Sequence, residues 1–189
     1  MAYIKEPERM NLFSKILIRS IEKYMGAKLE IARVLLWYPK AALSSILLES
    51  LITFNDREVN KRLLKLIRMQ VSISSSCAFC IDMNFSDYQL HNISIQEIET
   101  LQGKVEIEKV STFSEKEKAA LNYAKELTLT KGNMQSETIQ KLKQEFSERA
   151  ILIIASTIAQ VSYWTVLMQG LGIQPLGFLK DCPVIDLKK

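Results

Sequence analysis

The chain has 189 residues, 48% of them apolar and 24% charged, which excludes a disordered tail, a collagenous repeat and a short disulfide scaffold. Its net charge of +4, from 25 basic and 21 acidic residues spread along the sequence, is too mild to imply nucleic acid, and no basic run carries interleaved aromatics. Six glycines and four prolines are too few for an all-β architecture with many turns.

Periodicity is helical nearly throughout. Leu12, Phe13, Ile16, Leu17, Ile21 and Tyr24 recur at spacings of three and four, which predicts an amphipathic helix over about 9–25 that Gly26 can end. A second helical segment follows over 28–37, and Pro39 suits the first turn of a third running to about Thr53. Asn55 with Glu58 reads as a capping box for a helix from Asp56 to about Ser74. Ser74, Ser75 and Ser76 favour a break, because their hydroxyls compete for backbone groups. A helix from about Cys77 to His91, with Asn92 as left-handed cap, precedes a short one opened by Ser94 and Glu97 and closed by Gly103. Residues 104–112 alternate apolar and charged positions, as a short strand or a linker would. Ser114 with Glu117 caps a helix to about Thr130, and Lys131-Gly132-Asn133 forms a turn. Helices over 136–145 and 148–170 complete an all-α fold of eight or nine helices packed face to face.

No side chain is charged between Ala150 and Leu179. Ser156, Thr157, Gln160, Ser162, Thr165, Gln169, two glycines and Pro175 interrupt that stretch, so it reads as a buried core helix rather than a membrane span. Lys5, Glu6, Glu8 and Arg9 precede any apolar run, unlike a secretory signal, and three cysteines are an odd, low count. Both point to a reducing, cytoplasmic compartment.

Cys77-Ala78-Phe79-Cys80 is the sharpest chemical signal. Residues three apart on a helix share a face, so the sulfurs can pair with little backbone movement. At a helix N-terminus, exposed N–H groups and the helix dipole favour a thiolate. A CxxC can also be half of a zinc site or a structural coincidence. The other soft ligands, His91 and Cys182, do not form a second pair at zinc-finger spacing, so no metal is expected. Cys182, beyond Pro175 and before Pro183, reads as an exposed thiol in a C-terminal tail. Tyr163 and Trp164 read as core residues.

The segment C-A-F-C-I-D-M-N-F-S-D-Y-Q-L-H-N-I-S-I-Q-E from Cys77 to Glu97 resembles the alkylhydroperoxidase D / carboxymuconolactone decarboxylase (AhpD-like) family. That family carries CxxC on a helix, a His four residues after the second Cys, a Gly eight residues further on and a Glu twelve residues before the first Cys. The segments Phe113–Thr128 and Ala155–Ile173 resemble its second conserved helix and its closing helix. The resemblance runs from about residue 39 to 175, and implies an AhpD-like helical domain there. Residues 1–38 would then be a helical extension and 176–189 a tail. It further implies a cofactor-free thiol site in which Cys80 attacks a hydroperoxide or disulfide substrate and Cys77 closes the disulfide. A dithiol such as dihydrolipoamide, or a redoxin-like partner, would reduce the pair. The family forms trimers and hexamers, so a homo-oligomer (dimer, trimer or hexamer) is expected, without nucleic acid or membrane.

Both relay positions depart from the pattern. The family His falls on Asn84, the family Glu on Lys65 and the family Gly on Asn92. Asn can hydrogen-bond but cannot shuttle a proton. Lys65 could favour a thiolate but is no carboxylate base, and a lysine on an amphipathic helix is ordinarily solvated. His91 lies eleven residues past Cys80, about 16 Å along one continuous helix, and reads as a partly buried or capping histidine. Asp82 should point away from Cys80, and Asp87 lies about two turns off on its face. The expected function is a thiol hydroperoxide reductase or dithiol–disulfide oxidoreductase, weak as a peroxidase. A catalytically decayed relative with a binding or structural role is the alternative. A lactone-type decarboxylase lacks the titratable groups it needs.

Overall fold

A computed structural model describes residues 2–10, 12–53, 57–130, 132–179 and 182–185, except the side chains of 52 and 53. Among the described residues the fold is all-α, with nine α-helices and no strand. In chain order these are α1 (Leu12–Met25), α2 (Glu30–Val34), α3 (Pro39–Glu49), α4 (Lys61–Ser74), α5 (Ala78–Phe85), α6 (Ile95–Leu101), α7 (Glu115–Thr130), α8 (Ser136–Glu145) and α9 (Glu148–Leu171).

Helix α4 is the hub, because it is apolar on two sides. Leu63, Leu64, Ile67 and Val71 pack against Ala120 and Ala124 of α7, Leu142 of α8 and Ile154 and Ile158 of α9. Leu66 and Met69 join Phe85, Tyr88, Ile98, Val110 and Leu121 in a second cluster. A third cluster gathers Ile31, Cys77, Phe79, Cys80, Met168 and Ile173 between α2, α5 and the end of α9. By length and composition α9 could cross a membrane. Here Ala150, Ile154, Ile158, Val161 and Met168 are buried in the first and third clusters.

Several element boundaries differ from expectation, each for a local reason. Helix α4 begins at Lys61, capped by Asn60, whose side chain accepts the Leu63 N–H at 2.8 Å. Asn55 and Asp56 lie outside the described residues, and Glu58 instead binds the Ser147 hydroxyl at 2.6 Å. The expected helix from Cys77 to His91 is two pieces. It stops at Phe85, and a 3-10 turn covers Tyr88–His91 before Asn92 takes the left-handed conformation at φ 53°. The 104–112 segment forms a 3-10 turn over Ile107–Lys109 rather than a strand. Gly132 turns with φ +93°, while Lys131 lies outside the described residues. The Ser94–Glu97 capping box is complete, and Ser114 pairs with Glu117 in the same reciprocal way.

The N-terminal residues are tied onto the α9 end of the bundle. The Tyr3 N–H donates to the Leu171 carbonyl at 2.8 Å. The Tyr3 ring covers Gly172, which has φ +67° and no room for a Cβ beside that ring. The Trp37 indole donates to the Lys5 carbonyl at 2.8 Å, and Arg33 bridges Glu6 and Glu22. At the other terminus the buried Asp82 carboxylate accepts three backbone N–H groups, from Leu176 (2.7 Å), Gly177 (2.9 Å) and Leu179 (2.8 Å). Asp82 thus points away from the cysteines and holds the tail. Cys182, expected to be exposed, is buried against the second cluster, and burial pushes its thiol above the usual range.

Candidate active site

Cys77 is the N-cap of α5 and its sulfur accepts the Cys80 N–H at 3.3 Å. The two are joined as a disulfide, with Cα atoms 5.2 Å apart. Cys77 is 1% exposed and Cys80 3%, but their surroundings differ. Cys80 lines a cavity of about 360 Å³, and Cys77 does not. The volume falls in the lower part of the range for small-molecule sites.

The cavity is walled mainly by apolar side chains. They include Leu17, Ile18 and Ile21 of α1, Ile31 of α2, Phe79 and Met83 of α5, and Trp164 and Met168 of α9. The first 38 residues therefore form one wall of the chamber that Cys80 faces. Its polar lining is Ser14, Ser45, Glu49, Arg68 and Asn84.

A stripe along α4 decides what the relay positions do. Lys65, Arg68 and Ser72 follow one another at helical spacing on the side that faces α5. The Lys65 ammonium donates to the Asp87 carboxylate, and His91 Nε2 lies 3.4 Å from the other Asp87 oxygen. Lys65 is therefore not solvated. Burial lowers its ammonium pKa, with the Asp87 hydrogen bond opposing. Burial raises the Asp87 carboxyl, but the hydrogen bond from Lys65 and the charges of Lys65 and His91 outweigh it and hold it below the usual range. Neither Lys65 nor His91 lines the cavity, whereas Asn84 does. Its Oδ1 accepts from Arg68 Nε at 2.9 Å, and its Nδ2 donates to the Ser72 hydroxyl at 2.9 Å.

No family model matches the sequence. The uncharacterized protein YdfG of Bacillus subtilis is 28% identical over 115 residues, 60% of this chain and 76% of YdfG. The AhpD core of an uncharacterized peroxidase-related protein from Ralstonia eutropha superposes over 98% of each chain, with a TM-score of 0.76 and 13% identity. The debrominase Bmp8, as a cysteine-to-alanine variant bound to 2,3,4-tribromopyrrole, superposes over 95% of each chain, with a TM-score of 0.76 and 18% identity. This chain has the AhpD-like fold. A third structure of that fold, a protein of unknown function from Agrobacterium tumefaciens named as a candidate antioxidant defence protein AhpD, covers 75% of this chain and 94% of its own. Its TM-score is 0.64 and its identity 22%.

Within the AhpD-like fold, three side chains at the cavity escaped sequence reasoning. Glu49, the last residue of α3, accepts from Gln160 Nε2 at 2.6 Å and from the Trp164 indole N–H on the same oxygen. Trp164, which packs against the third cluster as expected of a core residue, is thus also a cavity wall and a donor. Burial lowers the Arg68 pKa, with the charges of Glu49 and Asp87 opposing, and a guanidinium stays charged regardless. The available signals were weak: a lone acid ending an apolar run, and an arginine inside an otherwise buried helix. Among the described residues, no group of three or more His, Cys, Asp or Glu side chains is placed to hold a metal ion.

Proposed function

We propose that the protein is a dithiol–disulfide oxidoreductase in which Cys80 attacks an electrophilic, largely apolar organic molecule, an organic hydroperoxide first among them. The observation that carries this reading is the unequal placement of the sulfurs. Cys80 faces an apolar chamber, while Cys77 sits behind it at the helix N-cap. In the reduced protein, the Cys80 thiolate attacks the distal oxygen of the hydroperoxide. The O–O bond breaks, the alkoxide leaves and is protonated to the alcohol, and Cys80 becomes a sulfenic acid. The Cys77 sulfur then attacks that of Cys80. The S–S bond forms, and the hydroxyl leaves as water with the Cys77 proton. A dithiol such as dihydrolipoamide, or a redoxin, restores the pair by exchange and is itself oxidised to a disulfide.

The reading is tested by hydroperoxide consumption driven by dihydrolipoamide, with cumene hydroperoxide and hydrogen peroxide compared. The expected result is faster turnover of the organic substrate, lost in both Cys80→Ser and Cys77→Ser. No turnover of either peroxide, with thiols that label slowly even at mildly alkaline pH, would favour the catalytically decayed alternative.

The cavity supports a second reading, in which the electrophile is a halogenated aromatic ring. Its walls are apolar, and a debrominase with a bromopyrrole ligand shares the fold across nearly the whole chain. Release of halide that requires Cys80, in place of peroxide consumption, would select it. The many exposed apolar side chains of α1 and α3, Leu12, Phe13, Tyr24, Leu43 and Leu47 among them, also support a homo-oligomer, since apolar groups gathered on a surface favour burial at an interface.

A further inference from the structure

The reaction just proposed moves two protons. The Cys80 thiol has to lose one before it attacks, and the departing alkoxide has to gain one. The positions where a relay was expected supply neither: Asn84 does not titrate, and Lys65 is committed to Asp87 away from the cavity. Among the described residues on the cavity wall, the one carboxylate is Glu49.

Its setting is that of a held but still available acceptor. Gln160 and the Trp164 indole both donate to Oε1, which fixes the carboxylate through α9. Oε2 has no hydrogen-bond partner among the described residues. Arg68 lines the same chamber, and Asn84 engages only its Nε. Among the described residues no hydrogen bond or ion pair engages its two terminal nitrogens, which leaves them for an incoming oxygen.

Resting on the oxidoreductase reading, we infer that Glu49 takes the proton of the Cys80 thiol and returns it to the alkoxide, while Arg68 holds the developing negative charge. The S–H bond breaks as Glu49 Oε2 gains the proton. Sulfur bonds the distal oxygen and the O–O bond breaks. The alkoxide then removes the proton from Glu49, so sulfenic acid and alcohol are formed and Glu49 ends as it began. A carboxylate from α3, in the N-terminal third of the chain, thereby stands in for a relay on α4 and α5. The other charged or titratable groups that line the cavity are Arg68 of α4 and Cys80 of α5; the Tyr163 hydroxyl of α9 lies 3.0 Å from Ser45 of α3, and the Asp87 charge acts on Arg68 from outside the cavity lining. Helices α1 and α2 bring no charge to the cavity.

The test uses Glu49→Gln, which keeps an oxygen for Gln160 and Trp164, and Glu49→Asp, which keeps the acid. Turnover of cumene hydroperoxide with dihydrolipoamide is measured in each. The pH dependence of iodoacetamide alkylation is measured with Cys77 and Cys182 both changed to Ser, so that Cys80 reports alone. In Glu49→Gln, kcat/KM is expected to fall about 100-fold or more, with partial recovery in Glu49→Asp. The pH of half-maximal alkylation should move down, because a negative charge in the same cavity as the thiolate is gone. A merely structural Glu49 would not slow peroxide cleavage while easing thiol ionisation. A Glu49→Gln enzyme within about twofold of wild type, or an unmoved alkylation profile, overturns the inference and leaves the oxidoreductase reading standing. A wild type that consumes no hydroperoxide overturns both, and shows it before any Glu49 variant is made.

Discussion

Lys65 stands where the resemblance placed the family's carboxylate, and it pairs with Asp87 instead. Its side chain is 11% exposed against 39% for Asp87, so the pair is neither a solvated surface contact nor a fully buried one. Lys65→Glu would set two carboxylates against each other, and is expected to destabilise the protein by about 2 kcal/mol, below the range for fully buried pairs because Asp87 still sees water. Urea unfolding checks this, and Lys65→Glu with Asp87→Lys should recover most of the loss. For the same reason the double variant Asn84→His, Lys65→Glu should lose stability rather than gain peroxidase activity. Asp82 gives a second residue-level prediction. Replacing it with Ala strips three backbone N–H groups of their acceptor at a loss of about 3 kcal/mol. It should also let Cys182 react in the native state, where burial now shields it; thiol labelling before and after unfolding reads both.

At the scale of the element, α4 joins the bundle as much by its basic residues as by its leucines. Arg62 reaches Glu97 of α6 at 2.5 Å and Glu117 of α7 at 2.8 Å, so one side chain binds two capping boxes together. Burial raises the Glu97 carboxyl. The Ser94 N–H, the Thr112 hydroxyl and Arg62 together outweigh it and hold Glu97 below the usual carboxylate range. A carboxyl depressed in the folded state binds fewer protons there than in the unfolded chain. Its stabilisation is therefore complete above the ordinary glutamate value of about 4.3 and is lost as pH falls through the lower, folded value. Urea midpoints between pH 7 and pH 3 should accordingly drop below about pH 4, and Glu97→Gln should flatten that limb while lowering stability at neutral pH.

Across the whole molecule, the N-terminal helices matter for what they enclose. Without α1 and α2 the Cys80 face of the bundle would lose a wall of its chamber. The same helices leave apolar groups on the outside: Phe13 is 76% exposed and Tyr24 92%. A bulky side chain placed within, as in Ala42→Trp, should raise the KM for cumene hydroperoxide about tenfold while sparing hydrogen peroxide, since loss of complementarity in an apolar pocket is worth roughly 1–3 kcal/mol. Light scattering on the eluted protein tests the outside. A mass above one chain that falls when Phe13 and Tyr24 are changed to Ser would assign the α1 face to self-association.

What the sequence determined by itself is what local forces determine. Helical periodicity, the Ser94–Glu97 and Ser114–Glu117 caps, the left-handed Asn92 and the placement of Cys77 at a helix start each depend on a few neighbouring residues. The AhpD-like fold was legible from such segments together. The break after Phe85 was not, because the 77–91 segment has enough apolar positions for one helix, and the pairing of Lys65 with Asp87 and of Asp82 with the tail is absent from its periodicity. The meeting of Glu49, Arg68, Cys80 and Trp164 was less visible still. Glu49 and Trp164 are 115 residues apart, and no residue between them signals the contact. Only the packing of α3, α4, α5 and α9, with the N-terminal helices closing over them, brings the lone acid, the basic stripe of α4 and the indole to one cavity. Tertiary structure therefore decided which groups meet at the cavity, while local chemistry had already placed the cysteine pair at a helix start.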